Sequence, residues 1–355
     1  MPRTQAPPSL KHAAVWQHVP AVIRLCVRAL GRKGTRLENN DHRLGLLTTA
    51  LVLRALGLGD LLTAVPALRA LRRSGLRVAL ACPPELSEAA ALTGAVDRII
   101  PTYDREPIVW PGVAERDSDL PFMPELAVNL HGPGPRSHQI LRDLRPRRMW
   151  AYQTEDFRNG PGWDPAEHEV QRWCRLVDWY GLRSDPRDLS LPTPLVPSGF
   201  PGAVVIHPGA GSTARRWPAE RFADVAKAMA RLGLPVVITG TRRERPLALL
   251  VGTRAVLPPQ VVLAGRTTLR ELCALVAGAR LVISADTGVA HLATAYGIAS
   301  VTVFGPEPPS RWGPPEDQPR HQALHRGPDP ADVTTAEVLA AIDRVLKRPE
   351  VKVME

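Results

Sequence analysis

Short runs of aliphatic and β-branched residues alternate along the chain with longer stretches in which apolar positions recur every three or four residues. The first pattern is that of a strand buried on both faces and the second that of an amphipathic helix. In the first half, strands are predicted at Thr49–Leu56, Arg77–Cys82, Arg98–Tyr103 and Glu125–Leu130. Helices are predicted after Gly57-Leu58-Gly59-Asp60, carrying Leu61, Val65, Leu68 and Leu71, and at Glu85–Leu92 and Glu167–Tyr180. Proline is tolerated only in a first helical turn, so Pro66 extends the loop after Asp60 to about Thr63, which becomes the N-cap. Residues 104–124 read as a Pro-rich loop, and Arg136, Arg142, Arg145, Arg147 and Arg148 as a basic stretch.

The segment Leu191–Gly202 holds four prolines and two glycines and reads as a linker. Beyond it the alternation resumes. Strands are predicted at Ala203–His207, Pro235–Gly240, Val261–Leu263, Leu281–Ile283 and Ser300–Phe304. Helices are predicted at Ala219–Leu232, Arg242–Gly252, Thr268–Gly278, Val289–Tyr296 and Thr334–Leu346, with a Pro-rich loop over 305–330. Strand–helix alternation of this kind makes a parallel sheet with helices on both faces. The expected class is α/β, with two doubly wound, Rossmann-like domains facing a central cleft. Their limits are a basic extension (1–45), a first domain (46–190), the linker (191–202), a second domain (203–330) and a C-terminal helix and tail (331–355). Open parallel sheets bind ligands beyond the carboxyl ends of their strands. The loops after Leu56 and Ile283 both lie there.

The 355 residues are too many for one core of ordinary size, and 44% hydrophobic with 23% charged residues suits a soluble protein. The net charge of +10 favours an anionic ligand or an acidic membrane surface. It also suits nucleic acid, but no nucleic-acid module is recognisable. Cys26, Cys82, Cys174 and Cys273 lie far apart, which argues against a zinc site or a disulfide framework and suits a reducing cytosol. No stretch matches the roughly 18 uncharged apolar residues of a membrane span, and no signal-peptide core opens the chain. A cytoplasmic protein is expected. In the basic extension, Trp16, Val19, Ile23, Val27 and Leu30 fall at helical spacing. They fit a helix packed on the first domain, a poorly ordered leader, or an amphipathic helix resting on the inner face of the cell membrane; the last alone implies peripheral contact with anionic lipid.

Several residues carry candidate chemistry. Asp286-Thr287-Gly288 joins a strand to a helix, where free N–H groups and the helix dipole favour an anion and Gly288 admits a ligand close to the backbone; an ordinary capped turn reads the same way. The loop from His207 to Pro218 holds Ser212, Thr213, Arg215 and Arg216 among small residues, which suits phosphate better than a capped turn with solvated arginines. Asp60, on a Gly-flanked turn, is either a general base or an N-cap. His131 and His291 are ligand-binding candidates or structural hydrogen bonders, and His131 and Arg136 are the acceptor-side candidates. Asp117-Ser118-Asp119 resembles a metal-holding DxD element, but without an acidic partner cluster it reads as solvated loop. No metal or cofactor is expected.

In order, the chain carries LVLRALGLGDLLTAVPALRALRR (51–73), AVNLHGPGPRS (127–137), VVIHPGAGSTARRWPAERFADVAKAM (204–229) with VVITGTRRER (236–245), and LAGRTTLRELCALVAGARLVISADTGVAHLATAYGIASVTVFGP (263–306). Together these blocks resemble glycosyltransferase family 9, the ADP-heptose:lipopolysaccharide heptosyltransferases, over about residues 48–345. The resemblance implies a GT-B fold and an inverting, metal-independent transfer from a nucleotide-sugar donor to a saccharide or glycolipid acceptor. It puts Asp60 on the family's proposed base and Asp286, Thr287, Gly288 and His291 on its donor element. Ser212 and Thr213 fall on the hydroxyl-bearing phosphate loop, Glu244 near the ribose position and Thr267 near the adenine pocket. In this picture Arg215, the Ser212/Thr213 loop and the helix after Thr287 neutralise the leaving diphosphate. Asp60 takes the acceptor's proton, and domain closure excludes water. The family's phosphate-loop lysine is Arg215 here, a planar fork in place of a point charge. Residues 1–45 lie outside the family pattern, and the acceptor-side loops 104–124 and 132–147 do not match it. A UDP- or GDP-hexose donor on the same fold, and a non-catalytic nucleotide-sugar-binding protein, are the alternatives.

Overall fold

The computed structural model describes residues 48–104, 106–111, 120–121 and 123–347. The helical pattern of Trp16–Leu30 and the Asp117-Ser118-Asp119 element lie outside the described residues. The first lobe runs β1 (Thr49–Leu53), α1 (Leu58–Thr63), α2 (Val65–Arg73), β2 (Arg77–Cys82), α3 (Ser87–Leu92), β3 (Arg98–Pro101), β4 (Leu126–Asn129), α4 (Arg136–Arg142), β5 (Arg148–Trp150) and α5 (Glu169–Trp179). The second runs β6 (Val204–His207), α6 (Ala219–Arg231), β7 (Val236–Ile238), α7 (Arg245–Arg254), α8 (Leu269–Ala277), β8 (Leu281–Ala285), α9 (Gly288–Ala295), β9 (Ser300–Val303), α10 (Pro309–Trp312), β10 (His321–Leu324) and α11 (Thr335–Leu346). No helix among the described residues is long and apolar enough to cross a membrane.

Each lobe holds one parallel sheet, ordered β3-β2-β1-β4-β5 in the first and β10-β9-β8-β6-β7 in the second. The chain order reverses direction between β1 and β4, and again between β6 and β8. A crevice opens at such a reversal, outside the carboxyl ends of the two strands. The loops bordering these crevices are the ones that follow β1 and β4 in the first lobe, and β6 and β8 in the second. They contain His131, Arg215 and Asp286, and Asp60 lies in the first turn of the helix that follows the first of them.

The strands are apolar because both faces are covered. In β1, Ala50 and Val52 pack toward Leu68, Val78 and Trp173, while Leu51 and Leu53 pack toward Ile100 and Leu141. In the second lobe, Val204 and Ile206 meet Phe222, and Val205 meets Val282 and Leu292. Leu62 and Val65, from the first lobe, lie in that last cluster with Val289 and Leu292. The two lobes therefore share apolar packing where α1 and α2 approach α9.

Four features differ from the sequence expectation. The loop after β1 is short: Gly57, in an extended conformation, starts α1, and a fresh helix starts at Val65 with Pro66 in its first turn. Asp60 is therefore inside a helix rather than on a turn, and Thr63 ends that helix rather than capping the next one. Val261–Leu263 is not a strand; only Val262 bridges to Ile238, behind a short 3-10 turn. The basic stretch after Arg136 contains α4 and β5. The Pro-rich segment 305–330 contains α10 and the edge strand β10.

Candidate functional site

A cleft of about 640 Å³ lies between the lobes, within the usual size range of small-molecule sites. On the first-lobe side it is lined by Gly57, Leu58, Gly59 and Asp60, with Glu85 and Leu86. Asp60 is the third residue of α1, and its Oδ2 accepts a hydrogen bond from the Gly57 N–H at 3.1 Å. A carboxylate here satisfies one of the helix's unpaired donors and complements the dipole. Its other oxygen, Oδ1, lies 3.3 Å from Nη2 of Arg54, a residue that sequence reasoning missed. The signal was available: Arg54 is a charge inside the apolar run of β1, and a buried guanidinium needs an anion. Burial pulls Arg54 down to about 10, against the opposing pull of Asp60.

On the second-lobe side the lining comes from the loops after β6, β7 and β8 and from the start of α8. Thr287 caps α9, its Oγ1 accepting from the Val289 N–H at 3.4 Å. Asp286 is buried, and its Oδ2 lies 3.5 Å from Nη1 of Arg215 without a hydrogen bond. Burial pushes the Asp286 carboxyl up to about 6; Arg215 pulls it back, while Glu307 and Asp60 push it further. Arg215 also approaches Glu307, at 3.9 Å. Glu244 accepts from the Thr241 N–H at 2.8 Å, and its carboxylate fills the space that a Cβ on Gly209 would need. His207, behind it, bonds Thr239 Oγ1 through Nδ1 at 3.0 Å and is held below its ordinary pKa by burial.

The two sides touch at two glycines. A Cβ on Gly288 would lie 2.8 Å from Leu58 Cβ and 3.1 Å from the Gly59 nitrogen, and a Cβ on Gly59 would lie 2.9 Å from the His291 ring. Gly288 thus admits the backbone of the opposite lobe while also lining the cleft. The His291 ring sits edge-on to Trp312, centroids 6.1 Å apart, and burial pushes it down to about 4, so the imidazole is neutral. The Trp312 indole N–H is buried and unpartnered. Trp312 Nε1 and Asp286 Oδ2 thus bring two buried polar atoms without a hydrogen bond to the cleft lining, which suits a polar ligand.

The structure brings Asp60, Arg215, Glu244, Thr267, Asp286, Thr287, Gly288 and His291 onto this one cleft. Ser212 and Thr213 sit exposed on the adjoining 3-10 turn, outside its lining. His131 also lies outside the lining. It braces two loops: Nδ1 accepts from the Ala55 N–H at 3.2 Å, and Nε2 lies 3.0 Å from Asp104. Arg136 is exposed at the start of α4 and does not line the cleft.

Comparison with known proteins gives a consistent picture. Residues 187–339 match the family described as glycosyltransferase family 9 (heptosyltransferase). The chain is 27% identical over 191 residues to lipooligosaccharide heptosyltransferase 2 of Campylobacter jejuni subsp. jejuni serotype O:6, the match covering 50% of this chain and 58% of that protein. Among solved structures it resembles a family 9 glycosyltransferase of Veillonella parvula, with a TM-score of 0.68 and 18% identity, over 85% of this chain and 98% of the other. It also resembles the E. coli heptosyltransferase WaaC with ADP, with a TM-score of 0.65 and 17% identity, over 84% of this chain and all of the other. These structural likenesses are of fold, and the arrangement of two facing parallel-sheet lobes is GT-B.

Proposed function

We propose that this chain, whose residues 187–339 match the glycosyltransferase family 9 model, is a member of that family and moves a heptose-type sugar from an ADP-activated donor to a hydroxyl of a saccharide or glycolipid acceptor. The observation that carries the proposal is the pairing across one cleft of a helix-borne carboxylate, Asp60, with a cationic, helix-capped anion site, Arg215 and the start of α9. The second lobe holds the donor. Arg215 and the N–H groups after Thr287 take the diphosphate, supplying the positive charge that a metal ion supplies elsewhere. Glu244 and Thr267, both on the cleft lining, take a ribose hydroxyl and the base in this reading. Asp60 removes the acceptor's proton as that oxygen attacks the anomeric carbon from the face opposite the diphosphate, so the configuration inverts. The adenine choice draws support from the fold's likeness to a heptosyltransferase solved with ADP.

Ligand-linked stability tests the donor half. At a hundredfold excess over Kd, ADP is expected to stabilise the protein by about 2.7 kcal/mol, with UDP and GDP well below it. The Arg215→Ala variant is expected to lose most of this gain. The effect also depends on pH. Asp286 titrates near 6 in the folded protein, and protonating it removes a negative charge from beside the diphosphate and releases Arg215. ADP affinity is therefore expected to strengthen as pH falls through about 6, and Asp286→Asn to remove that part of the slope. ADP's own phosphate titrates nearby, so the difference between wild type and variant is the quantity to read. Equal stabilisation by all three nucleotides would count against an ADP donor.

A further inference from the structure

Arg54 is buried at the end of β1, yet its guanidinium meets groups from three elements. Nε donates to the Asp60 carbonyl at 2.8 Å and Nη1 to the Leu130 carbonyl, just past β4, at 2.6 Å. Nη2 reaches Asp60 Oδ1 and Thr63 Oγ1, each at 3.3 Å. Glu169 Oε2, on α5, lies 3.5 Å from the same nitrogen, and the guanidinium carbon sits 4.6 Å from the centre of the Trp173 ring. Glu169 pairs in turn with buried Arg172, so charges of alternating sign run from the cleft into the lobe: Asp60, Arg54, Glu169, Arg172. Burying such an array gives little net stability, because desolvation offsets the attraction. What it does provide is fixed geometry.

We propose that Arg54 is a positioning residue for Asp60, which rests on Asp60 being the base. One planar fork holds the Asp60 carboxylate, the Asp60 carbonyl and the chain leaving β4. It thereby fixes both the angle of the carboxylate and the distance between the two loops that border the first lobe's crevice. Asp60 itself is left partly exposed on the cleft wall, its carboxylate held by Arg54 and the Gly57 N–H. Lysine cannot reproduce this. Its three donors share one nitrogen atom, and it cannot reach both carbonyls and the carboxylate at once.

The test is a double-mutant cycle between Arg54→Lys and Asp60→Asn, read as kcat and KM of transfer, with ADP-induced stabilisation confirming that every variant is folded. Arg54→Lys alone is expected to lower kcat by about 10- to 100-fold, with the donor KM within about threefold of wild type, as a small misplacement of a reacting group does. On the Asp60→Asn background, the same change is expected to alter kcat by less than about twofold, since a residue acting through Asp60 has nothing left to act on. Additive losses in the double variant overturn the proposal, as does an Arg54→Lys enzyme within about threefold of wild-type kcat. Should Arg54→Lys not fold, Glu169→Gln loosens Arg54 from behind and takes its place in the cycle, with the same non-additivity expected. Full turnover in Asp60→Asn alone is a separate outcome: it removes the base, and the proposal with it.

Discussion

Replacing Asp60 with asparagine is expected to lower kcat of transfer by about 10²- to 10⁴-fold, the usual contribution of a positioned general base, while ADP affinity stays within about twofold. Asparagine is nearly the same shape, and its carbonyl oxygen still accepts from the Gly57 N–H, so α1 keeps its cap. What is lost is a proton acceptor and a charge at a helix start, the latter worth roughly 0.3–1 kcal/mol of stability. Alanine would be a poorer probe, because it removes the cap together with the base. Initial rates at saturating donor and acceptor, beside an ADP titration, separate the two effects. Turnover within about tenfold of wild type would move the base elsewhere.

Gly288→Ala is expected to cost about 10- to 100-fold in kcat and to lower stability by about 1–3 kcal/mol, the usual cost of overpacking, without unfolding the protein. The new Cβ would stand 2.8 Å from Leu58 Cβ and 3.1 Å from the Gly59 nitrogen, a backbone atom that cannot swing aside. The lobes must part by something on the order of an ångström, and that displaces Asp60 from the donor site by a distance to which bound reactions are sensitive. Loss of rate in a protein that still unfolds cooperatively is the signature of a lobe contact. A rate near wild type would show that the contact can yield.

Much of this architecture was legible because parallel strands covered on both faces leave plain apolar runs. Arg77–Cys82 was read to the residue, and the turns at Asp286 and Ser212 follow from small residues between a strand and a helix. The edges were harder. Of β10's four residues only His321 is buried, and β5 is only the three residues Arg148-Met149-Trp150, so neither is long or apolar enough to stand out. Pro66 does sit in a first helical turn, as its chemistry requires, but the segment ahead of it is a short helix rather than a loop, and no proline or N-cap side chain marks that one. Arg54 was visible as a charge in an apolar run, but Glu169 and Leu130 are remote in sequence, and only the folded chain brings them to it. Gly288 was singled out for close approach, and the chain that approaches it, Leu58 and Gly59 of the opposite lobe, is far away in sequence. His131 and Arg136 were chosen by residue type at a strand end. Burial and hydrogen bonding then made His131 a brace between loops, which no local pattern shows.

The most direct measurement is transfer itself, from ADP-heptose to a lipopolysaccharide-type saccharide acceptor in the presence of EDTA, with the product's anomeric configuration read by NMR. One ADP is expected to be released for each sugar transferred, with the anomeric centre inverted relative to the donor and the rate unchanged by EDTA. A retained configuration, or a rate abolished by EDTA, would contradict it.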